Sequence, residues 1–453
     1  MRTALLRRGA RWGAVLLAAC AVGPPNAAAA GTILRPLSDA VSYAADLTAS
    51  DGGHSWSGTE QIVVRNAGST AVDRVWLRLW GNGATGCTGP RAVTATVTGG
   101  GSGGRLLRRC TALEVLLPAP LASHATTTLT LALTITAPNL ADRFGITNDI
   151  ALYGNALPVV AQRDRSGWRL PPYSAYGESW VTTWARFSLL LHHPADLQVV
   201  AAGTTTTAAD ANGTTATTTS VVEARDTFWA IGSLGETTRR TKRGVLVRAW
   251  SPQGSGTSRI RAARDAAGAL DQIERHLPNY PYDEYDVLVA PIQAGGGMEY
   301  PTVVITDGSE TVTRHETGHQ WFYGLVGDDQ YREPWIDEGF TTFLETYWSS
   351  ATAQPRPHCY PARRFAVSDP TTFITSSMRY WNAHVGEYSL AYANPACALQ
   401  EARRRLGNAR FTAIMRGLVT TYGRGTMTGA DVRAAFGTSL RDLWPRWGLA
   451  AGR

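Results

Sequence analysis

From Thr126 to Ala137 runs a long Thr/Leu/Ile stretch in which Leu129, Leu131, Leu133 and Ile135 take every second position. A period of two sends successive side chains to opposite faces, so this stretch predicts a strand with one apolar face. Thr59 to Val64 and Val75 to Leu79 alternate in part. The run Thr204 to Thr207, then Asn212-Gly213, then Thr214 to Val222 predicts a hairpin, because Asn-Gly accepts the positive φ of a type I′ turn. Glycines 99–101, 103 and 104 lack the Lys-Ser/Thr of a phosphate loop and predict a flexible loop instead. Up to about residue 240 the pattern is strand-rich.

The period then changes. Ile260, Ala263, Ala267, Leu270, Ile273 and Leu277 recur at three- and four-residue steps, predicting a helix over 258–277 that Pro278 stops. Tyr285 to Ile292 predicts a short apolar strand, and Pro301 to Thr306 an edge strand. Further helices are expected over 337–348, 410–422 and 429–436. Another is expected from Asn394-Pro395, as N-cap and first turn, to Leu406, where Gly407 closes it.

Of the 453 residues, 44% are hydrophobic and 9% aromatic, which excludes a disordered scaffold and leaves room for two or three domains. Arg2, Arg7, Arg8 and Arg11 precede a short apolar run from Trp12 to Val22, and Asn26 is followed by four alanines. This predicts a secretory signal peptide over residues 1–30, the run being too short for a comfortable membrane span. Leu17-Ala18-Ala19-Cys20 resembles a bacterial lipobox, so a lipid anchor at Cys20 is the alternative to plain secretion. Losing four arginines and no acids takes the net charge from +7 to +3, too little for a nucleic-acid footprint. The other four cysteines fall two to each half, without zinc-ligand spacing. In an exported chain they predict Cys87–Cys110 and Cys359–Cys397 disulfides, with free buried thiols as the alternative.

The densest chemistry is His315-Glu316-Thr317-Gly318-His319, with Glu338 nineteen positions beyond His319. Histidines at i and i+4 share a helix face, and a carboxylate from a second helix completes a His2Glu zinc set with one position open for water. Glu316 then stands beside the metal as general base. Nine histidines in the chain make an accidental match conceivable, and the distant Glu338 removes most such accidents.

These residues, with Gly296-Gly297-Met298-Glu299, Trp335 to Gly339 and Tyr392, resemble the aminopeptidase N-type zinc metallopeptidases. The resemblance is tight over about 280–345. It implies an α+β, multidomain fold. An N-terminal β-saddle domain would span 31–240, and a thermolysin-like, mostly helical domain with a small sheet 241–453. It further implies one zinc per chain, peptide substrates with a free N-terminus, and a monomer, with membrane contact only through a lipidated Cys20. Glu299 would hold the substrate's α-amine, and a peptide backbone would pair along the edge strand 301–306. Tyr392 would donate to the oxyanion, with Tyr388 as competitor.

Several departures stand out. Pro395 replaces a usual Gly, and Tyr300 replaces a frequent Asn, leaving side-chain preference open. The family's second amine anchor has no evident counterpart, Gln162 being a guess. No large helical C-terminal domain follows Trp447, so a more open cleft is expected. A thermolysin-type endopeptidase, an epoxide hydrolase and a binding module with a vestigial site are the alternative readings.

Overall fold

Seven strands form the largest sheet, in the order Thr204–Ala209, Thr214–Ala224, Ala185–Pro194, Ala40–Ser50, Ser55–Arg65, Thr126–Thr136, Val93–Gly99. The computed structural model describes residues 37–210, 214–292, 296–349 and 374–449. Cys20 and the expected signal peptide, Asn212-Gly213 and Cys359 lie outside them. Only Ala40–Ser50 and Ala185–Pro194 run parallel in this sheet; its other pairs are antiparallel. Leu129, Leu131, Leu133 and Ile135 are all buried, as their alternation predicts. Each contributes about 1.5–3 kcal/mol of transfer free energy. The flanks of the predicted hairpin pair antiparallel, Ala209 opposite Thr215.

Two four-stranded sheets, Val159–Val160, Val72–Arg78, Ala112–Leu121, Ser102–Leu107, and Gln198–Ala201, Trp229–Gly232, Ile150–Tyr153, Phe144–Thr147, and the pair Arg163–Asp164 with Gly167–Trp168 complete this half. The glycine-rich stretch is no flexible loop. It ends one strand at Gly99, turns at Gly100, and starts the next at Ser102. Cys87 and Cys110 are disulfide-bonded, with Cα atoms 5.4 Å apart. Cys397 is also disulfide-bonded.

The second half holds a four-stranded sheet, in the order Leu234–Arg240, Leu246–Pro252, Glu284–Val289, Val303–Thr306, whose last three strands are parallel, and a two-stranded pair, Val326–Gly327 with Gly425–Thr426. Strand Leu234–Arg240 thus pairs here and not with the sheets before it. Helix α1 (Gly256–Ile273) packs through Ala262, Ala263, Ala266, Ala267, Leu270 and Ile273, all buried. Ile260, expected on that stripe, is 60% exposed. Helices α2 (Glu310–Gly318), α3 (Trp335–Phe343), α4 (Met378–Trp381), α5 (Leu390–Leu406), α6 (Asn408–Tyr422) and α7 (Gly429–Phe436) follow. A strand-rich half followed by a largely helical one gives an α+β fold.

Two expectations are corrected. Helix α5 begins four residues before Asn394, so Pro395 lies inside the helix and Asn394 is no N-cap. The outer edge of Val303–Thr306 is also occupied. Ile305 N donates to the Met298 carbonyl at 2.9 Å, and Met298 N donates back at 3.0 Å. Any peptide pairing along this sheet would meet the Gly296 to Met298 segment first.

An apolar cluster with Leu152, Phe228, Leu288, Met298 and Ile305 joins the two halves. It fixes the Gly297 to Glu299 segment against the strand-rich half.

Candidate metal centre and active site

Ser309 opens α2 by accepting a hydrogen bond from Val312 N with its side chain. One turn then separates His315 from His319, whose backbone N donates to the His315 carbonyl at 3.2 Å. Helix α3 presents Glu338 from its first turn to both rings. Nε2 of His315 and Nε2 of His319 are 3.2 Å apart, and Oε2 of Glu338 lies 3.2 Å from the first and 3.4 Å from the second. Ligands about 2.05 Å from a tetrahedral zinc stand about 3.3 Å from one another. The donor triangle therefore fits zinc without rearrangement. It is also the one such group among the described residues.

The remaining ring nitrogens are tied down. His315 Nδ1 faces Oε2 of Glu345 at 3.3 Å, and His319 Nδ1 faces the Phe322 carbonyl at 3.0 Å and Oγ1 of Thr341 at 3.2 Å. Such partners fix tautomer and ring direction, leaving both Nε2 atoms free for a metal. Burial opposes charge on His319, yet Glu338 outweighs it and lifts the pKa to about 9. Burial likewise raises Glu338, and the two imidazoles overcome this to hold it at about 2.

Glu316, next along α2, lines the same cleft and is pushed up to about 8 by burial while His315 and His319 pull it down. Its side chain lies against Gly297, where an added Cβ would stand 2.5 Å from Glu316 Cγ and 2.3 Å from the Ile305 carbonyl. Only glycine allows that approach. Glu299 accepts from Nε2 of Gln330 at 3.3 Å, and the same amide donates to Asp337 at 2.8 Å. Glu299 is close enough that its charge acts on both Glu316 and His319. The Tyr392 ring stacks over His315 at 5.9 Å, and burial, then Glu338, raises its phenol well above the ordinary range. The structure thus brings Gly296, Gly297, Met298, Glu299, His315, Glu316, His319, Glu338, Tyr388 and Tyr392 into one cleft of about 890 Å³.

Two expected residues point elsewhere. Tyr300 turns away, donating to Oδ1 of Asn155 at 2.9 Å and stacking on Phe228 at 4.9 Å, so it sets no pocket wall. Gln162 is buried beside Arg163 and is not among the residues lining the cleft. Conversely, Glu178 lines the cleft from the strand-rich half, its Oε1 2.8 Å from Nη1 of Arg143. Glu345 was also missed. It stands seven positions after Glu338, a spacing that shares a helix face, but on a π-helical turn, Leu344–Ser349.

Residues 262–447 match the peptidase family M1 domain. Leucine aminopeptidase 2 of Aspergillus clavatus is 31% identical over 126 residues, covering 26% of this chain and 20% of that protein. A leukotriene A-4 hydrolase homolog of Botryotinia fuckeliana is 33% identical over 91 residues, covering 18% of this chain and 14% of that protein. The chain thus spans about a fifth or less of the length of these curated relatives. An M1 zinc metallopeptidase from Deinococcus radiodurans superposes with a TM-score of 0.63 at 21% identity, covering 92% of this chain and 95% of that one. A two-domain M1 zinc metallopeptidase mutant bound to L-tryptophan gives the same TM-score, 0.63, at 20% identity, covering 93% of this chain and 96% of that one. The family match thus covers the helical half over residues 262–447, and the solved structures share the two-part fold.

Proposed function

We propose that the chain is a zinc aminopeptidase, binding one zinc through His315, His319 and Glu338 and hydrolysing the first peptide bond of peptides. The observation that carries this reading is Glu299, a buried carboxylate facing the same cleft as Glu316 and the donor triangle. A substrate ammonium needs such a charged partner, and holding it places only the first carbonyl near the metal residues. When bound, zinc supplies Lewis acidity and lowers the pKa of water. Glu316 takes a proton from the attacking water and hands it to the leaving amine. Tyr392, above His315, donates to the carbonyl oxygen as charge develops there.

The relatives named leucine aminopeptidase support this reading. Export is part of the proposal, supported by the basic and apolar leader of residues 1–30 and by the Cys87–Cys110 disulfide. Glu299→Ala tests the anchor. Activity on free-amine substrates is expected to fall by about 10²-fold or more in kcat/KM with zinc retained. An unchanged kcat/KM would remove Glu299 from its role.

A further inference from the structure

Asp226 follows the strand Thr214–Ala224 and is buried where the strand-rich half meets the helical one. Its Oδ2 accepts from Nδ2 of Asn155 at 2.5 Å and from the Tyr323 hydroxyl at 3.2 Å, while Oδ1 accepts from Thr227 N at 2.7 Å. Both side-chain donors lead to the active cleft. Asn155 accepts in turn from the Tyr300 hydroxyl at 2.9 Å, and Tyr300 directly follows Glu299. Tyr323 follows Phe322, whose carbonyl lies 3.0 Å from Nδ1 of His319, and Gly324 N donates to the His319 carbonyl at 2.8 Å. Gln320, one residue past His319, donates through Nε2 to the Tyr300 carbonyl at 3.1 Å and closes this circuit of contacts. Tyr323 takes φ +134, a strained angle for a residue with a side chain. Its hydroxyl on Asp226 and the Arg225 guanidinium, 4.4 Å over its ring, hold it there. Asn155, Tyr300 and Tyr323 are buried like Asp226.

We propose that Asp226 is a positioning residue, one buried carboxylate that fixes Glu299 through Asn155 and Tyr300, and His319 through Tyr323 and the Phe322 carbonyl. The Glu299 arm rests on the aminopeptidase reading, whereas the His319 arm concerns the metal alone. A carboxylate is costly to bury, and an apolar residue would pack this junction without that cost. The adjacent cation, Arg225, pairs with Asp328 at 3.6 Å. What the carboxylate adds is one oxygen that accepts from two sides, so that both tyrosines are set against a common point. Holding the amine anchor and a metal donor to that point keeps the first carbonyl, and no later one, at the donor triangle.

The test reads two quantities on the full chain: zinc affinity, by competition with a calibrated chelator, and KM for a free-amine aminoacyl amide. Tyr323→Phe is expected to weaken zinc binding, and Tyr300→Phe to raise KM, each by about three- to tenfold. Each variant should leave the other quantity within about twofold of wild type, because phenylalanine keeps the ring and removes a single hydroxyl. Asp226→Ala should weaken zinc binding and raise KM together; if it does not fold, the two phenylalanine variants decide alone. Variants that lose only thermal stability, or a single hydroxyl whose loss moves both quantities, would overturn the proposal. The two readings fail separately. A wild-type chain that hydrolyses no free-amine amide contradicts the aminopeptidase reading, while unchanged zinc affinity in Tyr323→Phe contradicts the role of Asp226 whatever the activity.

Discussion

Oε2 of Glu345 lies 3.3 Å from Nδ1 of His315, on the far side of the ring from the Glu338 carboxylate. One imidazole is thus gripped from both edges, and its free nitrogen is aimed at the donor triangle before any metal arrives. Glu345→Gln should weaken zinc binding by about 10–100-fold, read by competition with a calibrated chelator. Wild-type affinity in the variant would mean that the contact does not orient the ring.

Glu316 touches Gly297 and is not part of the donor triangle. Glu316→Gln should therefore keep stoichiometric zinc while turnover drops by about 10²–10⁴-fold. A zinc-replete variant with wild-type kcat would exclude it as the base.

Tyr392 stacks on His315, and Tyr388 is buried against Gly177. Tyr392→Phe is expected to lower kcat by about 10²–10³-fold with little change in KM. If Tyr388→Phe produced that loss instead, the two assignments would exchange.

Pro395 sits inside α5 against α3: a Cβ on Gly339 would stand 2.3 Å from the Pro395 Cβ. Gly339→Ala should destabilise the fold by about 1–3 kcal/mol through overpacking, lowering the thermal midpoint. Adding Pro395→Gly should restore part of the loss, and a double variant no better than the single one would refute the contact.

Arg105, assisted by Arg74, holds the Glu114 carboxyl at about 2, below its ordinary value of 4.5. The folded chain therefore binds fewer protons than the unfolded one across that interval. Stability from these contacts is complete above about pH 4.5 and is lost as the pH falls towards 2. The gap in thermal midpoint between wild type and Glu114→Gln should shrink over that window, and a constant gap would contradict the pairing.

Local pattern carried the strands and helices whose apolar faces are regular, such as Leu129 to Ile135 and Gly429–Phe436. It carried the donor triangle too, because His315 and His319 are one turn apart and Glu338 follows a fixed interval later. What escaped depends on distant partners. Pro395 read as a first-turn residue, yet α5 extends back to Leu390 with Ala391 and Asn394 buried in the core. The edge strand read as open, but Met298 closes it from seven residues away. Glu178 carried no motif, and only the fold brings it across the cleft from Glu299. Tyr300 looked like a pocket residue until Asn155, distant in the chain, took its hydroxyl.

The central claim is that Glu299 fixes a free amine so that hydrolysis starts at the first bond. The most direct measurement is hydrolysis of aminoacyl fluorogenic amides alongside their N-acetylated counterparts by the purified chain. Cleavage confined to the free-amine members is the predicted result. Comparable cleavage of the acetylated members would contradict it and make the cleft that of an endopeptidase.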